Sequence, residues 1–335
     1  MAIKTTLGGK VMRGIMACLK EAFRCKVCCL LAGVAAVTAM ILLTGCGTRQ
    51  AVTQTPLAAN KVIQAVGAEN EYADVISQIG GQYVSVVGIM SDPNVDPHTY
   101  EASTQDAALV AGASLIVENG LGYDDFMDKL EAASPSSSRT VIVAAQVLGD
   151  PATTSNPHLW FDPKTMPKVA AAIAQSLETQ LPDQTQYFAS RLATFDNSLN
   201  DWNKDLADVQ QGYAGASVAV TEPVADYMLQ AAGMNIKTPW GFQAAVMNGT
   251  DPSPQDVQTQ ENLLSQRQVK AFIYNQQAVD DVTTALMKLA KDSNIPIVGV
   301  YETMPPGLTY QTWMEQETNN LLKALKDGVP TETMS

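Results

Sequence analysis

Seven apolar residues, Phe188, Leu192, Phe195, Leu199, Trp202, Leu206 and Val209, recur at alternating steps of four and three. That spacing keeps them on one face of an α-helix of about seven turns at 3.6 residues per turn. Leu181-Pro182-Asp183 supplies a start, with Asp183 placed to cap, and Gly212 supplies a stop. A helix of this length in mid-chain divides the sequence into an earlier and a later part. Before it, β-rich runs at 62–67, 84–90, 115–117 and 141–144 alternate with amphipathic stretches such as 72–79 and 166–177. After it, runs at 217–220, 271–274 and 297–301 alternate with stretches at 282–291 and 311–326. Strand–helix alternation predicts parallel sheets covered on both faces. The expected fold class is therefore α/β, with two lobes of mainly parallel sheet joined by a single long rigid helix. The lobes fall at 61–181 and 212–335, and the linker helix at 182–211. One continuous sheet with the helix packed on it is the other arrangement the pattern allows. No internal repeat is visible.

The amino terminus reads as an address. Residues 1–26 hold Lys4, Lys10, Arg13, Lys20, Arg24 and Lys26 against one acid, Glu21, and residues 27–45 are uncharged. A basic stretch followed by an apolar one is the build of a secretory signal. An uncleaved membrane anchor is the competing reading, because nineteen apolar residues can just span a bilayer. The end of the run, Leu43-Thr44-Gly45-Cys46, resembles a bacterial lipobox. That resemblance implies a lipoprotein signal at 1–45, a lipidated Cys46 and a flexible tether over 46–60, with Met12 or Met16 as alternative starts. The five cysteines, Cys18, Cys25, Cys28, Cys29 and Cys46, all lie at or before the lipobox cysteine, so the rest of the chain has no pair for a disulfide. Cys25 and Cys28 form a C-x-x-C, but inside a signal segment this spacing carries no redox or zinc meaning.

Charge then excludes one class of partner. The whole chain is at -13, and beyond residue 26 it keeps 15 of the 21 basic residues and 33 of the 34 acids, a net of -18. A body that acidic repels phosphate backbones, so no nucleic-acid partner is expected, whereas cations are attracted. With 46% hydrophobic residues the composition is that of a packed globular chain.

Only two histidines are present, and both follow a proline. One lies in Asp96-Pro97-His98-Thr99-Tyr100, the other in Asn156-Pro157-His158-Leu159-Trp160-Phe161-Asp162-Pro163. Proline stiffens the approach to each, and each is followed by a helical pattern. A lone histidine is more often structural, but two in matching Pro-His loops after strands read as a pair. With no cysteine beyond residue 46, oxygen must complete any metal shell. Glu222 in Thr221-Glu222-Pro223 and Glu302 in Tyr301-Glu302-Thr303-Met304-Pro305-Pro306-Gly307 each follow a predicted strand. Ligands in open α/β sheets bind beyond the carboxyl ends of strands. All four residues therefore point to one site between the lobes.

These motifs, in this order from about residue 61 to 326, resemble the zinc and manganese solute-binding lipoproteins of bacterial ABC transporters. The resemblance implies two α/β lobes on a rigid helix with one divalent metal between them. It implies His98 and His158 as ligands from the first lobe, with Glu222 third and Glu302 fourth. Zinc receptors often have histidine at the third position and manganese receptors glutamate; aspartate is commoner at the fourth. No histidine-rich loop separates His98 from His158, unlike many zinc receptors. Two carboxylates make a hard shell, which favours manganese over zinc and puts iron(II) last. The implied partners are a membrane permease with its cytoplasmic ATPase, and the membrane itself through the lipid; a monomer is expected.

The function so implied is capture and delivery, with no catalytic residue. Four protein ligands leave little room for a reactive water, and protonation of either imidazole should weaken binding. Two competing readings use the same residues. A metal-dependent hydrolase would need an open coordination position and a base, for which Asp96, Glu101 and Asp162 are the nearby acids. A surface adhesin is the third reading.

Overall fold

The structure, a computed structural model, describes residues 62–149 and 155–333. The expected signal, the lipidated Cys46 and the tether up to residue 60 lie outside the described residues. In the first lobe, strands β1 (Ile63–Glu69), β2 (Val84–Met90), β3 (Leu115–Glu118) and β4 (Thr140–Val143) form one parallel sheet in the order β2-β1-β3-β4. Helices α1 (Asn70–Gly80), α2 (Thr104–Gly112), α3 (Phe126–Ala133) and α4 (Ala144–Leu148) connect and cover them. Helix α5 (Thr165–Gln180) completes this lobe, burying Met166, Val169, Ala170, Ile173 and Leu177 at helical spacing. In the second lobe β5 (Ser217–Val220), β6 (Asn235–Ile236), β7 (Ala271–Asn275) and β8 (Ile297–Val300) are parallel in the order β6-β5-β7-β8.

The two sheets thus repeat one topology. Ala65 pairs with both Val86 and Leu115, and Val218 with both Ile236 and Ala271, so each lobe's first strand lies inside its sheet. Strands β3, β7 and β8 are buried at every residue, as parallel strands with helices on both faces must be. The two-residue β6 was not among the predicted strands; it is too short to show periodicity.

The apolar stripe at 188–209 runs through α6 (Thr185–Ser198) and α7 (Asn200–Tyr213), which meet at Leu199 and together form the long interlobe helix. The interruption has a local cause. The Ser198 hydroxyl donates back to Phe195 O at 2.7 Å, and Leu199 N reaches Asp196 O at 3.3 Å, one residue short of an α-helical step. Neither predicted end holds. Asp183 lies in a 3-10 turn (Pro182–Gln184), with Gln184 rather than Asp183 preceding the helix. Gly212 is helical, and the left-handed glycine is Gly215.

Helices α8 (Asp226–Ala231), α9 (Trp240–Met247), α10 (Pro254–Ser265) and α11 (Asp281–Asp292) flank the second sheet, and α12 (Tyr310–Asp327) packs along α7. One hydrophobic cluster runs without a break from Ile63 and Leu115 through Phe188, Leu199 and Trp202 to Val220, Trp313 and Leu321. The lobes therefore share a core on the side of the long helix, while the opposite face of each sheet has its own smaller cluster. Polar contacts join the lobes as well. Asn70 donates to Met304 O at 2.7 Å and accepts from Met304 N at 3.1 Å, and Tyr310 OH donates to Trp160 O at 2.7 Å.

Candidate metal centre

His98 sits inside a 3-10 turn (Pro97–Thr99) beyond the end of β2. Pro97 opens the turn, and Asp96 Oδ1 accepts from His98 N at 2.9 Å, so this acid shapes the loop. The imidazole keeps 20% of its surface accessible. His158 is wholly buried. It does not follow a strand directly, as the sequence had suggested, because Ala144–Leu148 forms the short helix α4 between β4 and this loop.

Asn156 decides how His158 is presented. Asn156 Nδ2 donates to Pro223 O at 2.8 Å, which leaves its Oδ1 to accept from His158 Nδ1 at 2.8 Å. Nδ1 is thereby engaged, and Nε2 is the nitrogen that faces the cleft, as metal-binding imidazoles require.

Glu302 lies two residues past β8, held by its backbone: Gln277 Oε1 accepts from Glu302 N at 2.6 Å and Thr303 N at 3.0 Å. Its Oε2 is the meeting point of the site. His98 Nε2 lies 3.2 Å away, His158 Nε2 3.0 Å, and the Tyr123 hydroxyl donates to it at 3.1 Å. Tyr123 is delivered by three consecutive left-handed residues, Gly120, Leu121 and Gly122, with φ of 81°, 59° and 81°. Glycine suits the two outer positions because it carries no Cβ penalty there.

The ligand atoms of His98, His158 and Glu302 all fall within 4.8 Å of one another, the one such group among the described residues. Glu222, two residues past β5, stands outside that group. Asn275 separates it from Glu302, donating through Nδ2 to Glu222 Oε1 and to Glu302 Oε1, each at 2.5 Å. Glu222 Oε2 is buried and has no hydrogen-bond partner among the described residues.

The electrostatics follow from burial and from the company each group keeps. Burial would raise the Glu302 carboxyl, but the imidazoles of His158 and His98 hold it well below the usual carboxylate range. Burial and the neighbouring Glu302 both push Glu222 up. Burial draws the His158 imidazole down, whereas at His98 contact with Glu302 outweighs burial and lifts it. Two imidazole nitrogens and one ionised carboxylate oxygen within 4.8 Å of one another form a donor set fitted to a divalent transition ion.

Asn275, Tyr123, Gln277 and the orienting role of Asn156 were not read from the sequence. Asn275 alone carried a signal: it is the polar residue closing an apolar parallel strand, on the same sheet edge as Glu222 and Glu302. The acids considered as a hydrolytic base are spent on turns or face solvent: Asp162 Oδ1 accepts from Lys164 N at 2.9 Å, and Glu101 is exposed.

Residues 66–324 match the family described as ZnuA, zinc-uptake complex component A, periplasmic. Over 311 residues the chain is 25% identical to the manganese-binding lipoprotein MntA of Bacillus subtilis (strain 168), covering 87% of this chain and 98% of MntA. It is 29% identical over 207 residues to the zinc-binding protein TroA of Treponema pallidum (strain Nichols), covering 60% of this chain and 66% of TroA. The solved structure of TroA from Treponema pallidum has a TM-score of 0.67 at 22% identity, over 80% of this chain and 99% of that one, which shows the shared fold. The names of these relatives divide between manganese and zinc, so what they have in common is a site for one divalent metal. The family typically works with a membrane permease and an ATPase in ABC import systems. With the family match spanning most of the sequence, this chain belongs to the ZnuA family of metal-binding solute receptors of ABC transporters, extracytoplasmic proteins that bind their cargo and are not enzymes.

Proposed function

We propose that the chain captures one divalent transition ion between its lobes through His98 Nε2, His158 Nε2 and Glu302, with Glu222 completing the shell. The observation that carries this reading is the convergence of both histidine Nε2 atoms on Glu302 Oε2, at 3.2 and 3.0 Å. The buried, unpartnered Oε2 of Glu222 supports it as the fourth donor. Manganese is the favoured cargo, zinc the next and iron(II) the last, because two carboxylates make the shell hard. The relatives' names, manganese-binding for MntA and zinc-binding for TroA, are compatible with either of the first two ions, so the order rests on the donors alone. Residues 1–45 act as a lipoprotein signal, Cys46 takes the lipid, and the loaded monomer hands its ion to an ABC permease driven by its ATPase.

Thermal melting of the metal-stripped chain with manganese, zinc, iron(II), calcium or magnesium tests the site. A ligand at about 100 times its dissociation constant adds roughly 2.7 kcal/mol to a state that alone binds it. The transition ions should raise the melting point of the wild type, and His98→Ala, His158→Ala or Glu302→Ala should abolish most of the shift. Equal shifts in the wild type and His158→Ala would refute the ligand set.

A further inference from the structure

Asn275 holds both acidic residues of the cleft at once. Its Oδ1 accepts from Gln277 N at 3.0 Å, and its own backbone N–H donates to Thr221 Oγ1 at 3.0 Å. With Oδ1 engaged, the amide nitrogen is the end that must face the carboxylates. There it donates to Oε1 of Glu222 and Oε1 of Glu302. Each carboxylate is left with one oxygen for other work. Oε2 of Glu302 faces the two imidazoles and accepts from the Tyr123 hydroxyl at 3.1 Å, and Oε2 of Glu222 has no partner among the described residues.

We propose that Asn275 is a specificity-determining residue that sets the denticity of the site, pinning one oxygen of each glutamate so that each offers a cation its Oε2 alone. The inference rests on the four-residue ligand set proposed above. Its consequence is a count. Two imidazole nitrogens and two single carboxylate oxygens make four donors, the number that suits a tetrahedral ion such as zinc. Manganese prefers more oxygens around it and would take both from each carboxylate if they were free. The hardness of the donors and the restraint imposed by Asn275 therefore pull in opposite directions. Asn275 is neutral, so it adds no charge to the loaded site. In the metal-free cleft its amide also lies between two carboxylates that would otherwise repel each other.

The test uses the full chain, metal-stripped, as wild type, Asn275→Leu and Asn275→Ser. Leucine fills a similar volume but donates nothing; serine is the smaller polar replacement should leucine prevent folding. Cobalt(II) absorption reports coordination number, since four-coordinate cobalt absorbs far more strongly than six-coordinate cobalt. Competition with a chelator gives the manganese and zinc dissociation constants. The wild type should show the intense cobalt spectrum, and both variants a weak one. The ratio of manganese to zinc dissociation constants should fall by about tenfold to a hundredfold, the usual reach of an outer-shell partner. A folded variant with the wild-type spectrum and ratio overturns the inference while leaving the ligand set intact. So does a wild type that binds cobalt stoichiometrically with a weak spectrum. A wild type that binds none of the three ions removes the ligand set, and the inference with it.

Discussion

Replacing Glu317 by glutamine should change how stability depends on pH. Glu317 lies on α12 and is fully buried. Its Oε1 accepts from Tyr301 N and from Trp313 Nε1, each at 3.1 Å, and its Oε2 is buried without a partner among the described residues. Burial pushes the carboxyl from the ordinary 4.5 up to about 8, against the pull of those two donors. The folded chain therefore keeps a proton that the unfolded chain has lost. Stability from this group is fully present below pH 4.5 and is lost as pH rises through about 8. At about 1.4 kcal/mol per pH unit of displacement, the loss has a ceiling on the order of 5 kcal/mol.

Glutamine keeps the shape and the acceptor oxygen but cannot ionise. Its amide nitrogen falls where Oε2 has no partner, a fixed cost of roughly 1–3 kcal/mol at every pH. Urea unfolding of metal-free wild type and Glu317→Gln from pH 5 to pH 9 separates the two effects. Wild type should be the more stable at pH 5, and the difference should move toward the variant by a few kcal/mol by pH 9. Glu69 and Glu71 are also raised by burial, so the slope of the wild type is not assignable to one group, but the difference between the chains is. Parallel pH profiles would refute the argument that burial governs Glu317.

Trp202→Ala should destabilise the chain by about 3–5 kcal/mol while leaving stoichiometric metal binding intact. Trp202 is fully buried, donates to Thr318 Oγ1 at 2.9 Å and packs edge-on against Tyr310 at 5.9 Å, all on the interlobe helix side. Urea unfolding and a metal titration of the same sample check both halves. Asn70→Ala removes the two hydrogen bonds that tie Met304, and with it the Glu302 loop, to the first lobe. At about 1 kcal/mol each, their loss should weaken affinity by up to about thirtyfold, seen as faster metal release to a chelator with an unchanged cobalt spectrum.

Much of the fold was legible as local pattern. The buried faces of α5, α11 and α12 follow the apolar spacing, and predicted stretches at 166–177, 282–291 and 311–326 each fall inside the observed helix. Where the pattern misled, a local hydrogen bond or a short element intervened. The Ser198 hydroxyl interrupts the long helix at a position where the apolar stripe continues unbroken. The chain after β4 turns into α4 before it reaches His158, because Ala144 begins a helix and does not extend the strand.

The site divides along a different line. Because metal chemistry restricts the residue types that can serve it, matching Pro-His loops and glutamates after strands led to His98, His158, Glu222 and Glu302 as the proposed donors. The first, second and fourth of these do meet in one cluster. The roles of Asn275, Tyr123 and Asn156 could not be read this way, since amides and phenols have many uses and no telling spacing. Residue order settled the strand–helix alternation, the acidic charge and the choice of proposed donor residues, all of which depend on a side chain and its near neighbours. Folding settled that two sheets share one strand order without a visible repeat, and that Glu302 meets His158 and Tyr123 across 144 and 179 residues. It also settled that Asn275 stands between the two acids. Contacts of that kind arise from how whole elements pack, and local periodicity carries no record of which elements will meet.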